Sequence, residues 1–193
     1  MTKETLAPGL FRRVVRPQPT YIVTVAGKDG RSNPIAIDYL TAISDNPPWL
    51  AMAIMPQRHS YGLLRENPTF VVNVMGYEHA AALMICGRHR GSGEDKFAAS
   101  GLTPVPAQVV PVPAIAEALA HVECEVLAEY PGGDHVLIVA KVVAASVEPG
   151  VLLSSGLRDL TLAPPVFHTG AGHLTTSSGE DLFIPRDTPE SDH

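Results

Sequence analysis

Arg58 and Ser60 are the residues of this sequence whose types and position most clearly suggest chemistry. Both follow the apolar run Trp49–Met55 and stand just before a short segment with helical spacing. A guanidinium can fork onto phosphate oxygens, and a serine hydroxyl and the free amides at the start of a helix can donate to the same group. Taken singly, the two residues are a surface cation and a helix cap. Together they predict a phosphate site at a strand-to-helix junction.

A second glycine-rich loop, residues 87–93, offers further donors for an anion. Ser92, Gly93 and Lys96 combine a hydroxyl, a backbone that can approach closely and a positive charge. The alternative interpretation is a solvated connecting loop, and it stays open for Arg88 and Arg90.

Asp38–Thr41 ends a predicted strand and presents a run of backbone amides with the Thr41 hydroxyl. Such a run could bind the polar edge of a ring, although it could also be an ordinary strand end. Together with the two segments predicted to bind phosphate, this run would supply the groups that hold a phosphorylated ring cofactor. The order of these segments therefore points to a flavin nucleotide.

The whole composition indicates one soluble, β-rich domain. The chain has 193 residues, 45% of them hydrophobic, and its 18 prolines and 16 glycines are scattered between apolar runs. A net charge of -6 argues against a nucleic-acid partner, and the longest apolar run is too short for a membrane span. Residues 1–15 lack an apolar stretch of signal-peptide length, so we expect a cytoplasmic protein.

Cysteine and histidine spacing predicts no metal site. Cys86 and Cys124 form no CxxC pair, and the eight histidines never fall into HxH, HxxxH or HExxH arrangements. Two buried, reduced thiols are the favoured interpretation of the cysteines.

Runs of β-branched and aromatic residues bounded by turn residues predict six strands. Lys28-Asp29-Gly30 should reverse the first hairpin, and alternation on the fifth strand predicts that Glu123 and Glu125 face water. The predicted strands are Tyr21–Ala26, Pro34–Leu40, Leu50–Ile54, Thr69–Val74, His121–Tyr130 and His135–Val147.

Short helices are predicted between these strands. One begins with Ser60 as its N-cap and ends at Asn67-Pro68, and a second spans His79–Ile85. Ala114–Leu119 could add one helical turn after Pro113. The sheet with its short peripheral helices should be barrel-like.

The ordered set of segments resembles the flavoredoxin-like branch of the FMN-binding split-barrel flavin reductases. The resemblance covers roughly residues 15 to 175 and depends on the order of the segments, since no single one is specific. The segments are IAIDYLTAISDNPP after Asn33, PQRHS, FVVNV, CGRHRGSGEDKFAASGLT, HVECEV, GGDHVLIVAKVV and PVFHTGAGH.

This resemblance implies a mainly β, six-stranded Greek-key split barrel that forms a homodimer and binds FMN near the subunit interface. It places the domain over 15–174, after an N-terminal extension over 1–14. Residues 175–193 are polar and acidic and contain prolines, so this C-terminal tail should be either disordered or packed on a partner subunit. The resemblance also assigns residues. Asp38, Tyr39, Leu40 and Thr41 would line the isoalloxazine, Arg58 and Ser60 would bind phosphate, and Ser92, Gly93 and Lys96 would complete the pocket.

His135 matches the family's Gly-Asp-His turn and could face the ring or the incoming nicotinamide, although a structural histidine is an equally good interpretation. In many relatives the pair at 38 and 39 is Ser-Trp, whereas here it is Asp-Tyr. An acidic side chain beside the ring would repel reduced, anionic flavin.

The resemblance implies an NAD(P)H-dependent flavin oxidoreductase that serves free flavin or a partner monooxygenase. No GxGxxG motif follows a strand, so NADH or NADPH would dock transiently over the flavin. Two alternatives stay open: an FMN-binding electron-transfer protein reduced by a protein donor, and a flavin-binding module without catalysis.

Overall fold

The computed structural model of the chain describes residues 3–89 and 91–179. These residues contain three α-helices, α1 His59–Glu66, α2 Ala80–Arg88 and α3 Lys96–Ser100, and the 3-10 helices Pro8–Arg13 and Tyr77–His79. They also contain twelve strands: β1 Gln18–Pro19, β2 Tyr21–Ala26, β3 Ser32–Ile37, β4 Leu40–Ser44, β5 Trp49–Ile54, β6 Thr69–Val74, β7 Pro104–Val105, β8 Ala114–Ile115, β9 Ala120–Gly132, β10 His135–Val147, β11 Phe167–Gly170 and β12 His173–Thr175.

Seven of these strands form one antiparallel sheet in the order β3-β2-β6-β9-β10-β5-β4. Strands β3 and β5 contact each other although they are not neighbours in this order, so the sheet curls around an apolar core. That core contains fully buried side chains from five strands and from α1, among them Ile54, Leu64, Phe70 and Ile138. The mainly β, split-barrel class predicted from the sequence is confirmed.

The sheet has one strand more than predicted because the chain bends between Ile37 and Leu40. The predicted strand Pro34–Leu40 is therefore two strands, β3 paired with β2 and β4 paired with β5. Asp38 and Tyr39 stand at this bend, outside both strands. The bend places both residues on the wall of a cavity that is described below.

The first hairpin and the two long strands form as predicted. Strands β2 and β3 pair from Tyr21 with Ile37 to Ala26 with Ser32, and Gly30 in the turn has a φ of +80°. Gly132 pairs with His135 at the end of the β9–β10 hairpin, where Gly133 has a φ of +76°. Only glycine adopts such angles without strain.

The prediction that Glu123 faces water is wrong. Its side chain is 2% exposed, and its carboxylate accepts hydrogen bonds from the backbone amides of Gln108, Val109 and Val110 at 2.7, 2.7 and 2.9 Å. The segment that donates these bonds covers the outer face of β9, which strand alternation cannot reveal. The neighbouring Glu125 is partly exposed and pairs with Lys141, as expected of a wet face.

Two helical predictions also need correction. Ala114–Leu119 is not a helical turn, because Ala114–Ile115 pairs with Pro104–Val105 as a short strand. Ser60 is not the cap of α1, since the helix begins at His59 and Arg58 occupies the capping position. Cys86 and Cys124 are both buried and free, as predicted.

The two ends of the described chain meet beside the barrel. Strand β1 pairs with β11, and β11 pairs with β12, in a separate three-stranded sheet. The predicted C-terminal tail begins in this sheet, and from residue 180 onward it lies outside the described residues. The predicted N-terminal extension includes the helix Pro8–Arg13, which lies beside the candidate site.

Candidate functional site

Two cavities lie next to each other between β3, the start of α1 and the α2–α3 region. Their volumes are about 560 and 660 Å³, within the range of small-molecule sites. They share four lining residues, Ile35, Met55, Arg58 and Gly87. An elongated ligand could therefore occupy both, with Arg58 between its two parts.

Arg58 directs the smaller cavity toward anions. It is held in an extended conformation by the turn after β5, and its backbone N–H donates to the Met55 carbonyl oxygen over 3.0 Å. Its guanidinium has no hydrogen bond or ion pair with any described residue. This cation is thus available to a ligand at the start of a helix, where anions bind favourably.

Ser60 lines the same cavity, and its hydroxyl already forms one buried hydrogen bond. Its hydroxyl accepts a hydrogen bond from Asn33 Nδ2 over 2.7 Å, and it is 1% exposed. The hydroxyl hydrogen is free to donate to a second group. A Cβ at Gly91 would lie 2.5 Å from Asn33 Oδ1, so this glycine lets the loop pack closely on Asn33.

Lys96 forms a second, buried positive charge in the smaller cavity. Its Nζ donates to the carbonyl oxygens of Pro34 and Cys86 over 3.2 and 2.8 Å, and its side chain is 4% exposed. Burial lowers the pKa of Lys96, and the nearby charge of Arg58 lowers it further. An anion bound between these two cations would raise the pKa of Lys96 again, because an opposite charge stabilises the charged amine.

Of the other two residues predicted in the second loop, one lines the smaller cavity and one does not. Ser92 lines the smaller cavity, whereas Gly93 turns the loop with a φ of +104° and is not part of the cavity wall. His59 and His89 line the cavity as well, and His89 Nδ1 lies 2.9 Å from Glu94 Oε2. Arg90 lies outside the described residues.

The larger cavity combines an apolar wall with a polar rim. Side chains of Ile35, Ile37, Met55, Leu83 and Leu174 supply the apolar part. Asp38, Tyr39 and His135, all predicted from the sequence, are on its wall. A flat aromatic ring system with one polar edge fits such a lining.

Asp38 is surrounded by donors. Thr20 Oγ1 donates to its Oδ1 over 2.9 Å, while His168 Nδ1 and Arg16 Nη2 lie 2.6 and 3.4 Å from its Oδ2. These neighbours compensate the negative charge that the sequence alone suggested would repel a reduced flavin.

Tyr39 and His135 pack together on the same wall. Their ring centroids are 5.4 Å apart in an edge-to-face arrangement, and His135 Nδ1 lies 2.6 Å from Asp134 Oδ1. The hydrogen bond from His135 lowers the pKa of Asp134. The nearby Tyr39 hydroxyl raises the pKa of Arg12. Arg12, at the end of the N-terminal 3-10 helix, lines the same cavity.

Leu40 and Thr41 are not brought into the two joined cavities. They line a third cavity of about 500 Å³, on the other side of the Asp38–Tyr39 bend. Thr41 is exposed and its hydroxyl donates to the Ala42 carbonyl oxygen over 3.3 Å.

Sequence reasoning missed four residues that the fold places here, Arg12, Arg16, Asn33 and His168. Asn33 and His168 stood inside the segments that carried the resemblance, but nothing in their spacing marked them as site residues. Arg12 fell in the predicted N-terminal extension. Only the pairing of β1 with β11 brings Arg16 and His168 together.

The donor set fits FMN. Arg58, Lys96, Ser60 and Ser92 surround a cavity that suits a phosphate, and the apolar cavity joined to it can hold a tricyclic ring. Within the described residues, no group of three or more His, Cys, Asp or Glu side chains is placed to hold a metal ion. None of the helices in the described ranges is long and apolar enough to cross a membrane.

Comparison with known proteins identifies relatives over most of the chain. A family model described as the flavin reductase like domain matches residues 11–169. An uncharacterized protein of Pyrococcus abyssi is 38% identical over 132 residues, covering 68% of this chain and 75% of its relative. A flavin reductase (NADH) of Kitasatospora aureofaciens is 32% identical over 155 residues, with 76% and 78% of the two chains covered.

Solved structures share the fold. An FMN-binding protein of Thermus thermophilus superposes with a TM-score of 0.81 at 26% identity, covering 96% of this chain and 98% of that one. Flavoredoxin of Desulfovibrio vulgaris (Miyazaki F) superposes with a TM-score of 0.82 at 23% identity, covering 97% of each chain.

Proposed function

The chain belongs to the flavin reductase-like domain family, and from this membership we propose that it is an FMN-dependent NAD(P)H:flavin oxidoreductase. It would take a hydride from NADH or NADPH and pass the electrons to free flavin or another acceptor, including a partner monooxygenase. The observation that carries the proposal is the pair of joined cavities, one cationic and one apolar, with Arg58 between them.

Each cavity would have its own task. Arg58, Ser60, Ser92 and Lys96 would hold the FMN phosphate by charge-assisted hydrogen bonds. The apolar wall of the larger cavity would exclude water from the ring and fix its position. When bound, FMN supplies the capacity to accept a hydride and release electrons, so the protein's contribution is binding and orientation.

The nicotinamide nucleotide would bind at the rim of the larger cavity. Arg12 and Arg88 are on its wall, and among the described residues neither has an acidic partner within ion-pair distance. Two such cations suit a polyanionic dinucleotide that docks without a domain of its own. His135, beside Tyr39 on the same wall, would contact the ring or the nicotinamide.

We also propose that the protein is a homodimer and works in the cytoplasm, where NADH is regenerated. Large apolar side chains are exposed on the outer side of neighbouring strands of the barrel, with Leu127, Tyr130 and Leu137 on β9 and β10 at 45%, 53% and 38% exposure. Exposed large apolar side chains on neighbouring strands favour a protein partner. A second copy of the chain would cover it.

The proposal is tested by the visible spectrum of the protein mixed with FMN, followed by anaerobic addition of NADH and then NADPH. We expect FMN to remain bound through gel filtration and to bleach within the dead time of manual mixing. Addition of free flavin should then restore the oxidised spectrum of the bound cofactor.

Two outcomes would contradict the proposal in different ways. Failure to retain FMN would remove the cofactor and the reaction together. Retention of FMN with no bleaching by either nicotinamide nucleotide, but with bleaching by a reduced ferredoxin, would identify an electron-transfer protein instead.

A further inference from the structure

The tip of the β11–β12 hairpin forms part of the wall of the larger cavity. Ala171 and Gly172 both line this cavity, together with Leu174 of β12. Gly170, Ala171 and Gly172 have φ angles of +121°, +50° and +85°, so three consecutive residues adopt positive φ. Such angles are uncommon outside glycine. The chain therefore builds this part of the wall from backbone, with little or no side chain.

The absence of a side chain at Gly172 makes room for the guanidinium of Arg88. A Cβ built on Gly172 would overlap Arg88 Nη2 and would lie 3.4 Å from Met84 Cε. Met84 and Arg88 are one turn apart on α2, and both line the larger cavity. The guanidinium thus lies directly against the hairpin backbone, in space that any other residue at position 172 would fill.

Arg88 differs from the other arginine at this hairpin because it has no charged partner. A Cβ on Gly170 would lie 3.3 Å from Arg16 Nη1, but Arg16 Nη2 already lies 3.4 Å from Asp38 Oδ2. Arg88 is exposed, and its guanidinium forms no hydrogen bond or ion pair within the described part of the chain. Its donors are therefore available to a ligand.

The position of Arg88 separates it from the proposed site of the FMN phosphate. It lines the larger cavity and is absent from the wall of the smaller one, which Arg58 and Lys96 line. A planar guanidinium binds phosphate oxygens in pairs. A nicotinamide placed over the ring in the larger cavity would bring its own diphosphate, one ribose away, to the wall of the same cavity.

We propose that Arg88 binds the diphosphate of NADH or NADPH, and that Gly172 is a positioning residue for Arg88. The inference rests on the proposed function. An arginine side chain that is free in solvent loses much rotamer entropy when a ligand fixes it. A guanidinium that already lies against Gly172 loses less, so the diphosphate binds more tightly.

The first test follows the anaerobic bleaching of bound FMN by stopped flow, with NADH and NADPH at rising concentrations. Arg88→Ala should raise the dissociation constant of the nucleotide about tenfold, the lower end of the range for hydrogen bonds to charged groups, because Arg88 is exposed. Gly172→Ala should raise it in the same direction, and by no more. Both variants should keep the limiting rate of bleaching.

A donor without phosphate supplies the contrast. N-benzyl dihydronicotinamide has the same reactive ring as NADH but no diphosphate, so both variants should be bleached by it at the wild-type rate. Arg88 has no described bond to lose, so Arg88→Ala tests the binding role even if Gly172→Ala does not fold. An equal loss of rate with the phosphate-free donor would overturn the assignment of Arg88 to the diphosphate.

The double variant tests whether Gly172 acts through Arg88. Gly172→Ala combined with Arg88→Ala should bind the nucleotide as Arg88→Ala alone does, since the guanidinium that the new methyl group displaces is already gone. Gly150→Ala is the matched control, because Gly150 has a φ of +88° and a Cβ there would contact nothing within 4 Å. It should keep wild-type binding. Additive losses in the double variant would refute the positioning role of Gly172.

Calorimetric titration with ADP-ribose gives a readout that involves no hydride transfer. ADP-ribose carries the diphosphate without the nicotinamide. Its binding to the FMN-loaded protein should be weakened by Arg88→Ala and by Gly172→Ala, and it should be unchanged in Gly150→Ala. Unchanged binding of ADP-ribose in Arg88→Ala would contradict the inference.

The outcomes distinguish this inference from the proposed function. If FMN binds and NADH bleaches Arg88→Ala like the wild type at every concentration, the role of Arg88 is refuted and the flavin reductase stands. If Arg88→Ala weakens the binding of FMN itself, Arg88 belongs to the flavin site and the inference is refuted. If the wild-type protein does not retain FMN, the proposed function is refuted together with the inference.

Discussion

Replacing Arg58 with alanine is expected to weaken the binding of FMN and to leave the binding of riboflavin unchanged. Riboflavin has the same ring but no phosphate, so the two ligands separate the two cavities. Arg58 is in both cavity walls and its guanidinium has no described protein partner. Its removal therefore breaks no internal ion pair of the described structure.

The size of the effect follows from the charge-assisted bonds that the guanidinium would make. Hydrogen bonds to charged groups contribute about 1.5 to 3 kcal/mol. A loss in this range corresponds to a roughly 10- to 150-fold rise in the dissociation constant of FMN. Lys96 would remain in the cavity, so residual binding of the phosphate is expected.

The assay is quenching of flavin fluorescence by the protein, with FMN and riboflavin titrated at the same ionic strength. Arg65→Ala is the matched control, because Arg65 is on the last turn of the same helix and is absent from both cavity walls. This control should bind both ligands like the wild type. Equal weakening of FMN and riboflavin in Arg58→Ala, or no weakening of either, would refute the phosphate assignment.

Three further substitutions test other parts of the structure. Glu123→Gln should lower the free energy of unfolding by about 2 to 4 kcal/mol in denaturant titrations, against less than about 1 for the exposed Glu125→Gln. Burial raises the pKa of Glu123, but the three amide donors outweigh burial and the net pKa is lowered. Glu123 therefore stabilises the folded protein above the pKa of the unfolded state, and this stabilisation is lost as the pH falls through the lower pKa of the folded state. Lys96→Met should lower the ratio of FMN affinity to riboflavin affinity about tenfold or more, because a cation beside the phosphate is lost. A buried lysine with a lowered pKa makes the folded protein more stable as the pH rises toward 10, and Lys96→Met should abolish this rise in denaturant titrations at several pH values. Ser60→Ala should cost about 1 to 3 kcal/mol of stability, measured by denaturant titration, because it leaves the buried Asn33 amide without its acceptor.

Strands bounded by turn residues could be predicted well because their signal is local. Thr69–Val74 has the predicted bounds, and Asp29-Gly30 reverses the first hairpin. The errors arose where a distant segment decides the outcome. Glu123 is buried only because residues 108–110 fold over β9, some fourteen positions earlier in the chain.

The meeting of the cationic residues could also be predicted, since charged groups at a helix start and in a glycine-rich loop suggested one shared site by residue type. Arg58, Ser60, Ser92 and Lys96 do share one cavity wall. Leu40 and Thr41 line the third cavity because the chain bends after Ile37. The alternation of residue types in the sequence continues past Ile37 and does not reveal this bend.

The larger cavity depends on contacts between the two ends of the described chain. Gln18 pairs with His168, so β11 places the His168 ring next to a carboxylate that stands 130 positions earlier. An aspartate at position 38, read alone, suggested repulsion of a reduced flavin. With Arg16, Thr20 and His168 around it, the same carboxylate is compensated by neighbouring donors and a positive charge. Asp38 and His168 are therefore best judged as a pair, because the two side chains contact each other over 2.6 Å.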